Sequence, residues 1–196
     1  MGTPARVQAW LRSLPYNWEA TFRTFRGVVR NRTANCMEAA LASATILEQH
    51  GHPPLVLDIE SQDGLDHVLC LVRGRGGRWG TVAKSRDHGL HGRKAVFRTV
   101  RDLAWSYAEP FVDRTGRMVG YGVFALDDLT HADWRVGERE VPSVERTLIA
   151  APHRKIAMGE RRYERLHRRY LAFKARTPER DPGLVPGYYA RRDRWM

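Results

Sequence analysis

The stretch Asn35-Cys36-Met37-Glu38-Ala39-Ala40-Leu41-Ala42-Ser43-Ala44-Thr45-Ile46-Leu47-Glu48-Gln49-His50-Gly51 decides the fold. Asn35 is a favoured N-cap and Glu38 stands three positions on, so a capping box is expected. Met37, Ala40, Leu41, Ala44 and Leu47 recur at helical spacing, and Gly51 supplies the left-handed residue that closes the helix. The alanines suit a helix that passes through the middle of a fold in close contact with its neighbours. Cys36 falls in the first turn. There, unpaired N–H groups and the positive end of the helix dipole favour a thiolate.

Working outward, the elements alternate in an α+β pattern. Residues 4–14 predict a short amphipathic helix carrying Val7, Trp10, Leu11 and Leu14, stopped by Pro15. Residues 19–30 repeat the pattern through Phe22, Phe25 and Val29, with Arg23, Arg26, Arg30 and Arg32 on the polar face. After Pro53-Pro54, residues 55–59 and 66–72 predict two strands. The second is apolar on both faces apart from Asp66 and His67 at its start, the pattern of a central strand. Gly74-Arg75-Gly76-Gly77 turns the chain into a third strand over 78–83. Residues 98–109 predict a helix ended by Pro110, residues 121–125 a strand, and Asp127 or Asp128 a cap. No element is assigned to 130–145. A long helix over about 155–175 carries Tyr163, Leu166, Tyr170 and Phe173 in a stripe, and 177–196 predicts an extended tail.

Length and composition bound the class. At 196 residues the chain is long enough for one real core. No apolar run approaches the ~20 residues of a membrane helix. No charged-then-apolar leader opens the chain, so a cytoplasmic location is expected. Cys36 and Cys70 are the two cysteines, too few for a disulfide scaffold, and neither a metal nor an organic cofactor is expected. His88-Gly89-Leu90-His91 lacks neighbouring thiolate ligands, and Cys70, alternating with His67, is expected to be a small core residue. The net charge of +11 is uneven: beyond His153 stand thirteen Lys and Arg against five acids, and the remainder is close to neutral.

Cysteine hydrolases need a thiol, an imidazole within reach and a group that orients the imidazole. Cys36 at the start of a helix and His67 at the start of a buried strand meet the first two needs. With Asn35-Cys36-Met37-Glu38-Ala39, Asp66-His67-Val68 and Gly74-Arg75-Gly76-Gly77 leading into Arg78-Trp79-Gly80-Thr81-Val82, the chain resembles the transglutaminase-like branch of the papain-like cysteine superfamily, its uncharacterised bacterial members above all. The resemblance covers about residues 30–90. It implies a papain-like core over 16–135, with an N-terminal helix over 1–15 and a basic helical extension and tail over 136–196. It also implies a Cys–His acyl hydrolase or acyltransferase that acts on a peptide, amide or thioester through a thioester acyl-enzyme.

The family's orienting Asp commonly follows the third-strand Trp by four residues, a position held here by Ala83. Strand alternation points Ser85 to the same side, so Ser85 is the expected orienter, with Asp87 as its competitor and an unassisted dyad as a third option. The developing oxyanion is assigned to the Cys36 N–H and to Asn35. Two other classes stand beside the enzyme. Arg161, Arg162, Arg165, Arg168 and Arg169 suit a nucleic-acid or anionic-surface binder, and the missing acid at 83 suits a catalytically inactive scaffold. Composition does not address oligomeric state.

Overall fold

The computed structural model describes residues 1–189. The seven helices are α1 (Pro4–Ser13), α2 (Phe25–Asn31), α3 (Cys36–Glu48), α4 (Val100–Trp105), α5 (Leu126–Leu129), α6 (Pro142–Ala150) and α7 (Glu160–Arg176). The strands are β1 (Leu55–Ser61), β2 (His67–Arg73), β3 (Trp79–Val82), β4 (Arg93–Phe97), β5 (Met118–Ala125) and β6 (Arg154–Lys155). They form one antiparallel sheet in the order β4-β3-β2-β1-β5-β6. The chain is therefore α+β. Among the described residues no helix is long and apolar enough to cross a membrane.

The sheet separates two apolar layers. On one face Val56, Val68, Cys70, Val72 and Val82 pack with Leu41, Ala44 and Leu47 of α3, with Val7 and Leu11 of α1, and with Val144 and Leu148 of α6. On the other, Leu57, Ile59, Leu69 and Leu71 pack with Leu103, Tyr107, Phe111, Ile156 and Leu166. Period-two alternation along β1 and β2 divides the layers, and it puts Cys70 on the α3 face, opposite to the His67 side. The alanine-rich helix is central. All its residues from Met37 to Thr45 are buried, and its alanines let three neighbouring layers approach it.

The capping box forms. Asn35 Oδ1 accepts from the Glu38 N–H at 3.0 Å, and the Glu38 carboxylate accepts from the Asn35 N–H at 3.0 Å. Gly51 adopts φ +81°, as a helix-ending residue requires. Glu38 does more than cap. Fully buried, it also accepts from the Thr21 hydroxyl (2.7 Å), Asn17 Nδ2 (3.2 Å), the Arg23 N–H (3.2 Å) and the Arg23 guanidinium (2.6 and 2.9 Å). Burial alone would raise its pKa. The Arg23, Thr21, Asn35 and Asn17 hydrogen bonds outweigh that and hold it below the ordinary value.

This explains the main departure in the N-terminal third. The helix expected over 19–30 begins only at Phe25, because residues 17–23 are drawn out along Glu38 rather than wound into a turn. Val28, not Val29, is the buried valine, and Val29 is half exposed. Three further elements, β4, α6 and the short β6, were not foreseen. β4 lies against β3 across Gly80, where a Cβ would stand 2.7 Å from the Ala95 N and the Arg93 O. The polar segment 130–145 contains the start of α6 and the fully buried Trp134, whose indole N–H donates to Asp127 at 3.0 Å. Asp127 thus bonds Trp134 and Arg135 instead of capping α5. The tail is docked as far as it is described: Tyr189 is buried, and Asp181 pairs with His88 at 2.6 Å. Arg191, Arg192 and Arg194 lie outside the described residues.

Removing one partner of a buried ion pair leaves an uncompensated charge, which costs about 3–5 kcal/mol. Glu38→Ala is expected to destabilise the protein by that amount, read as a drop in the urea midpoint, with Arg23→Ala close behind. A midpoint shift in Glu38→Ala no larger than that of a surface Glu→Ala control would refute this role.

Candidate active site

One cavity of about 380 Å³ collects the residues singled out above: Cys36, His67, Ser85 and Asp87 all line it. It opens where β3 leaves the sheet. β2 pairs with β3 from Cys70 to Arg73 only, because β3 ends at Val82. Beyond it, the Ala83 backbone is taken over by Gln8 of α1, whose amide donates to the Ala83 O at 2.9 Å and accepts from its N–H at 3.0 Å. The first residues of β2 are thereby left without a β3 partner. The N-terminus of α3 comes up to that gap, with the Cys36 sulfur facing the Val68 N–H.

His67 is fixed from the other face of the sheet. Its ring packs edge-on to Tyr107 and tilted against Phe111, both with centroids 6.3 Å away. Nε2 lies 2.8 Å from the Leu90 carbonyl oxygen. A carbonyl only accepts, so Nε2 carries the proton and Nδ1 carries the lone pair. Among the described residues Nδ1 makes no hydrogen bond, and none joins the ring to the Cys36 sulfur. The group that orients the imidazole is therefore the Leu90 main chain. Ser85, the expected orienter, is engaged elsewhere: its hydroxyl accepts from the Asp87 N–H at 3.2 Å and its carbonyl accepts from His91 Nε2 at 3.0 Å. Asp87 is paired with Arg86 at 3.4 Å. Alternation fails to bring Ser85 to His67 because the strand has already ended at Val82.

A short 3-10 turn, His88–Leu90, presents the Leu90 carbonyl. Buried Arg93 holds that turn by donating to the Gly89 O (2.6 Å) and the His91 O (2.7 Å), with its guanidinium 4.0 Å from the Tyr107 ring centre. Asp181 holds it from outside, accepting from the His88 N–H at 2.8 Å.

The electrostatics differ from the expected thiolate. Burial pushes the Cys36 thiol up. The N–H groups of Val68, Met37 and Cys36 favour the anion, as a helix N-terminus should, but they do not overcome desolvation, and the Asp58 carboxylate adds to the rise. Burial likewise lowers His67 to about 4; the Leu90 hydrogen bond opposes this and the Arg93 charge assists it. The resting pair is a neutral thiol and a neutral imidazole.

Asn35 is not available as the second oxyanion donor. Its Oδ1 caps Glu38, and its Nδ2 donates to the Thr21 O at 2.8 Å. The donors left are the N–H groups of Cys36 and Met37, which have no intrahelical carbonyl partner and face the Cys36 sulfur. The sequence also passed over Tyr16. It lines the same cavity, and its hydroxyl is raised to about 12, by burial first and then by Cys36. Its phenol stays protonated at neutral pH.

Among the described residues no group of three or more His, Cys, Asp and Glu is placed to hold a metal ion. His88 and His91 stack with centroids 4.9 Å apart, yet His88 bonds Asp181 and His91 bonds the Ser85 carbonyl. Cys70 is buried, and its thiol is raised to about 12 by burial alone. No protein-family model matches the chain, and comparison with curated proteins finds no match.

His67 and His91 are held neutral by the fold, with pKa values lowered to about 4 and about 3. In the unfolded chain both bind protons near ~6.5. The unfolded state therefore takes up more protons below that value, and stability falls as pH drops from about 6.5 toward 4. Urea midpoints measured from pH 7 to 4 should decline over this window, less steeply in His67→Gln. Parallel curves for wild type and variant would show that His67 does not contribute.

Proposed function

We propose that the protein is a cysteine-dependent acyl hydrolase or acyltransferase, with a papain-like, transglutaminase-like arrangement of its Cys-bearing helix and antiparallel sheet. The observation that carries this is the convergence of Cys36 and His67, from two separate elements, on one cavity, with the imidazole tautomer already set by the Leu90 carbonyl.

The resting charges define the chemistry. As Cys36 Sγ attacks an amide, ester or thioester carbonyl, Nδ1 of His67 takes the thiol proton, so ion-pair formation accompanies attack rather than preceding it. The oxyanion is received by the N–H groups of Cys36 and Met37, with the Tyr16 hydroxyl as a third donor from the cavity wall. The imidazolium then returns its proton to the leaving amine, alcohol or thiol, which departs as the carbonyl reforms into the thioester. Water, deprotonated by His67, completes hydrolysis; an amine in its place completes transfer.

The basic-surface alternative is favoured less. Arg169 pairs with Glu109 at 2.6 Å, Arg162 lies over Trp105, and Leu166 is buried. These contacts suit a helix docked on the domain. Arg161, Arg165 and Arg168 remain exposed.

Acylation by p-nitrophenyl acetate tests the proposal, with p-nitrophenolate release and the acetylated Cys36 peptide as paired readouts. The acylation rate should hold a plateau above about pH 5 and fall as His67 takes a proton near 4. It should be abolished in Cys36→Ser and reduced about 10²-fold or more in His67→Ala. Ser85→Ala should stay within about threefold of wild type. A rate that climbs with hydroxide alone and ignores His67 would mark Cys36 as an ordinary thiol.

A further inference from the structure

The chain carries +11, yet its cavity is acidic. Seven carboxylate side chains line it, against one guanidinium, that of Arg86, which is paired with Asp87. Of the seven, only Asp87 makes an ion pair with Arg or Lys among the described residues, and three of the others form a group: Asp58 on β1, Asp66 just before β2, and Glu145 on α6. Burial, and after it the Asp58 charge, raises Asp66; burial, and after it the Asp66 charge, raises Glu145; and all three line the one cavity.

Asp58 is the informative member. It is 2% exposed, and it projects from the α3 face of β1, opposite Val68, toward the Cys36 sulfur. One oxygen, Oδ2, lies 3.1 Å from His153 Nε2, which draws it away from the cavity. The other, Oδ1, is buried and without a hydrogen-bond partner among the described residues. A buried carboxylate oxygen left without a donor is destabilising, and a ligand that supplies the donor would relieve that cost beside Cys36. The groups facing it are His153, Cys36, Asp66 and Glu60. The Asp58 hydrogen bond raises His153, which partners Oδ2 and leaves Oδ1 without a donor.

We infer that the Cys36 cavity takes a substrate bearing an organic cation, an ammonium or guanidinium group, bound by Asp58 Oδ1 with Asp66 and Glu145 around it. Among the described residues the three do not form a metal-holding group, and an ammonium or guanidinium supplies the N–H donors that Oδ1 lacks. Exposed Trp18, Leu65 and Ile149 rim the same cavity at 75%, 59% and 68% exposure, an apolar collar for the stem that carries the charge. The inference rests on the proposal that Cys36 is the reacting group.

The test uses three methanethiosulfonates of similar size on the intact protein: a neutral ethyl reagent, a cationic 2-ammonioethyl reagent and an anionic sulfonatoethyl reagent. Each forms a mixed disulfide with the Cys36 sulfur and releases methanesulfinate with the bonding electron pair. Rates at Cys36 are read by peptide mass spectrometry and divided by those of 2-mercaptoethanol. The cationic reagent should exceed the anionic one about tenfold or more in this corrected ratio at low salt. Asp58→Asn should shrink the ratio several-fold. Glu145→Gln, on a half-exposed helix position, should shrink it too, should Asp58→Asn fail to fold. A corrected ratio near one with brisk neutral labelling would overturn the cation site and leave Cys36 as a nucleophile. Failure of the neutral reagent at Cys36 would overturn both.

Discussion

Glu38 in the first turn of α3 is the constraint on which the site depends. A fully buried carboxylate is tolerated only when its oxygens are supplied with donors, and this one draws them from Asn17, Thr21, Arg23 and Asn35. Satisfying it fixes three things at once. The helix start is capped, so the Cys36 and Met37 N–H groups point out of the first turn. The segment 17–23 is pulled straight, which forms one wall of the cavity with Tyr16 and Trp18 at its mouth. α2 is delayed to Phe25 and packs beside α3.

Desolvation then sets the chemistry that this frame can perform. The helix terminus pulls the Cys36 thiol toward ionisation, but the same burial that makes α3 central works against any isolated charge. Burial at His67 acts in the same direction on the imidazole, where the Arg93 charge reinforces it. Two neutral, desolvated groups exchange a proton only when a third group stabilises the products. In the proposed reaction the N–H groups at the start of α3 would do so by holding the oxyanion formed on attack. A carbonyl substrate would then complete the electrostatics of the site, and a cation beside Asp58 would lessen the anionic field that now raises the thiol.

Much of this was legible in the sequence because it follows from local pattern. The capping box, the Cys36 helix, the β1–β3 meander and the Leu166 stripe each rest on spacing within a few residues, and Cys70 fell on the α3 face by alternation alone. What escaped notice depends on long-range pairing or on main-chain groups. β4 has too few apolar residues to announce itself and exists because Gly80 lets it approach β3. Trp134 sits among polar neighbours in sequence, and its burial comes from joining the core on the α3 face, whose other members lie elsewhere in the chain. The orienting acceptor was sought among side chains, at Ser85 and Asp87, and every residue has the carbonyl that Leu90 uses. Only the turn that aims it distinguishes Leu90, and a turn held by Arg93 and Asp181 has no local signature.

That turn ties the far end of the chain to the reacting atoms. Asp181 accepts from the His88 N–H and pairs with the His88 ring, and Gly183 packs so closely on Gly89 that a Cβ there would stand 2.4 Å from the Gly89 N. Arg93 secures the same turn from within while its charge helps keep His67 neutral. The histidine's tautomer is thus set by one short loop clamped between buried Arg93, at the start of β4, and the C-terminal segment, while burial keeps the ring neutral. A side-chain orienter would need only one residue to be retained. A main-chain orienter needs the whole clamp, so the segment after α7 is bound to the site by backbone geometry, independently of the positive charge that first draws attention to that part of the chain.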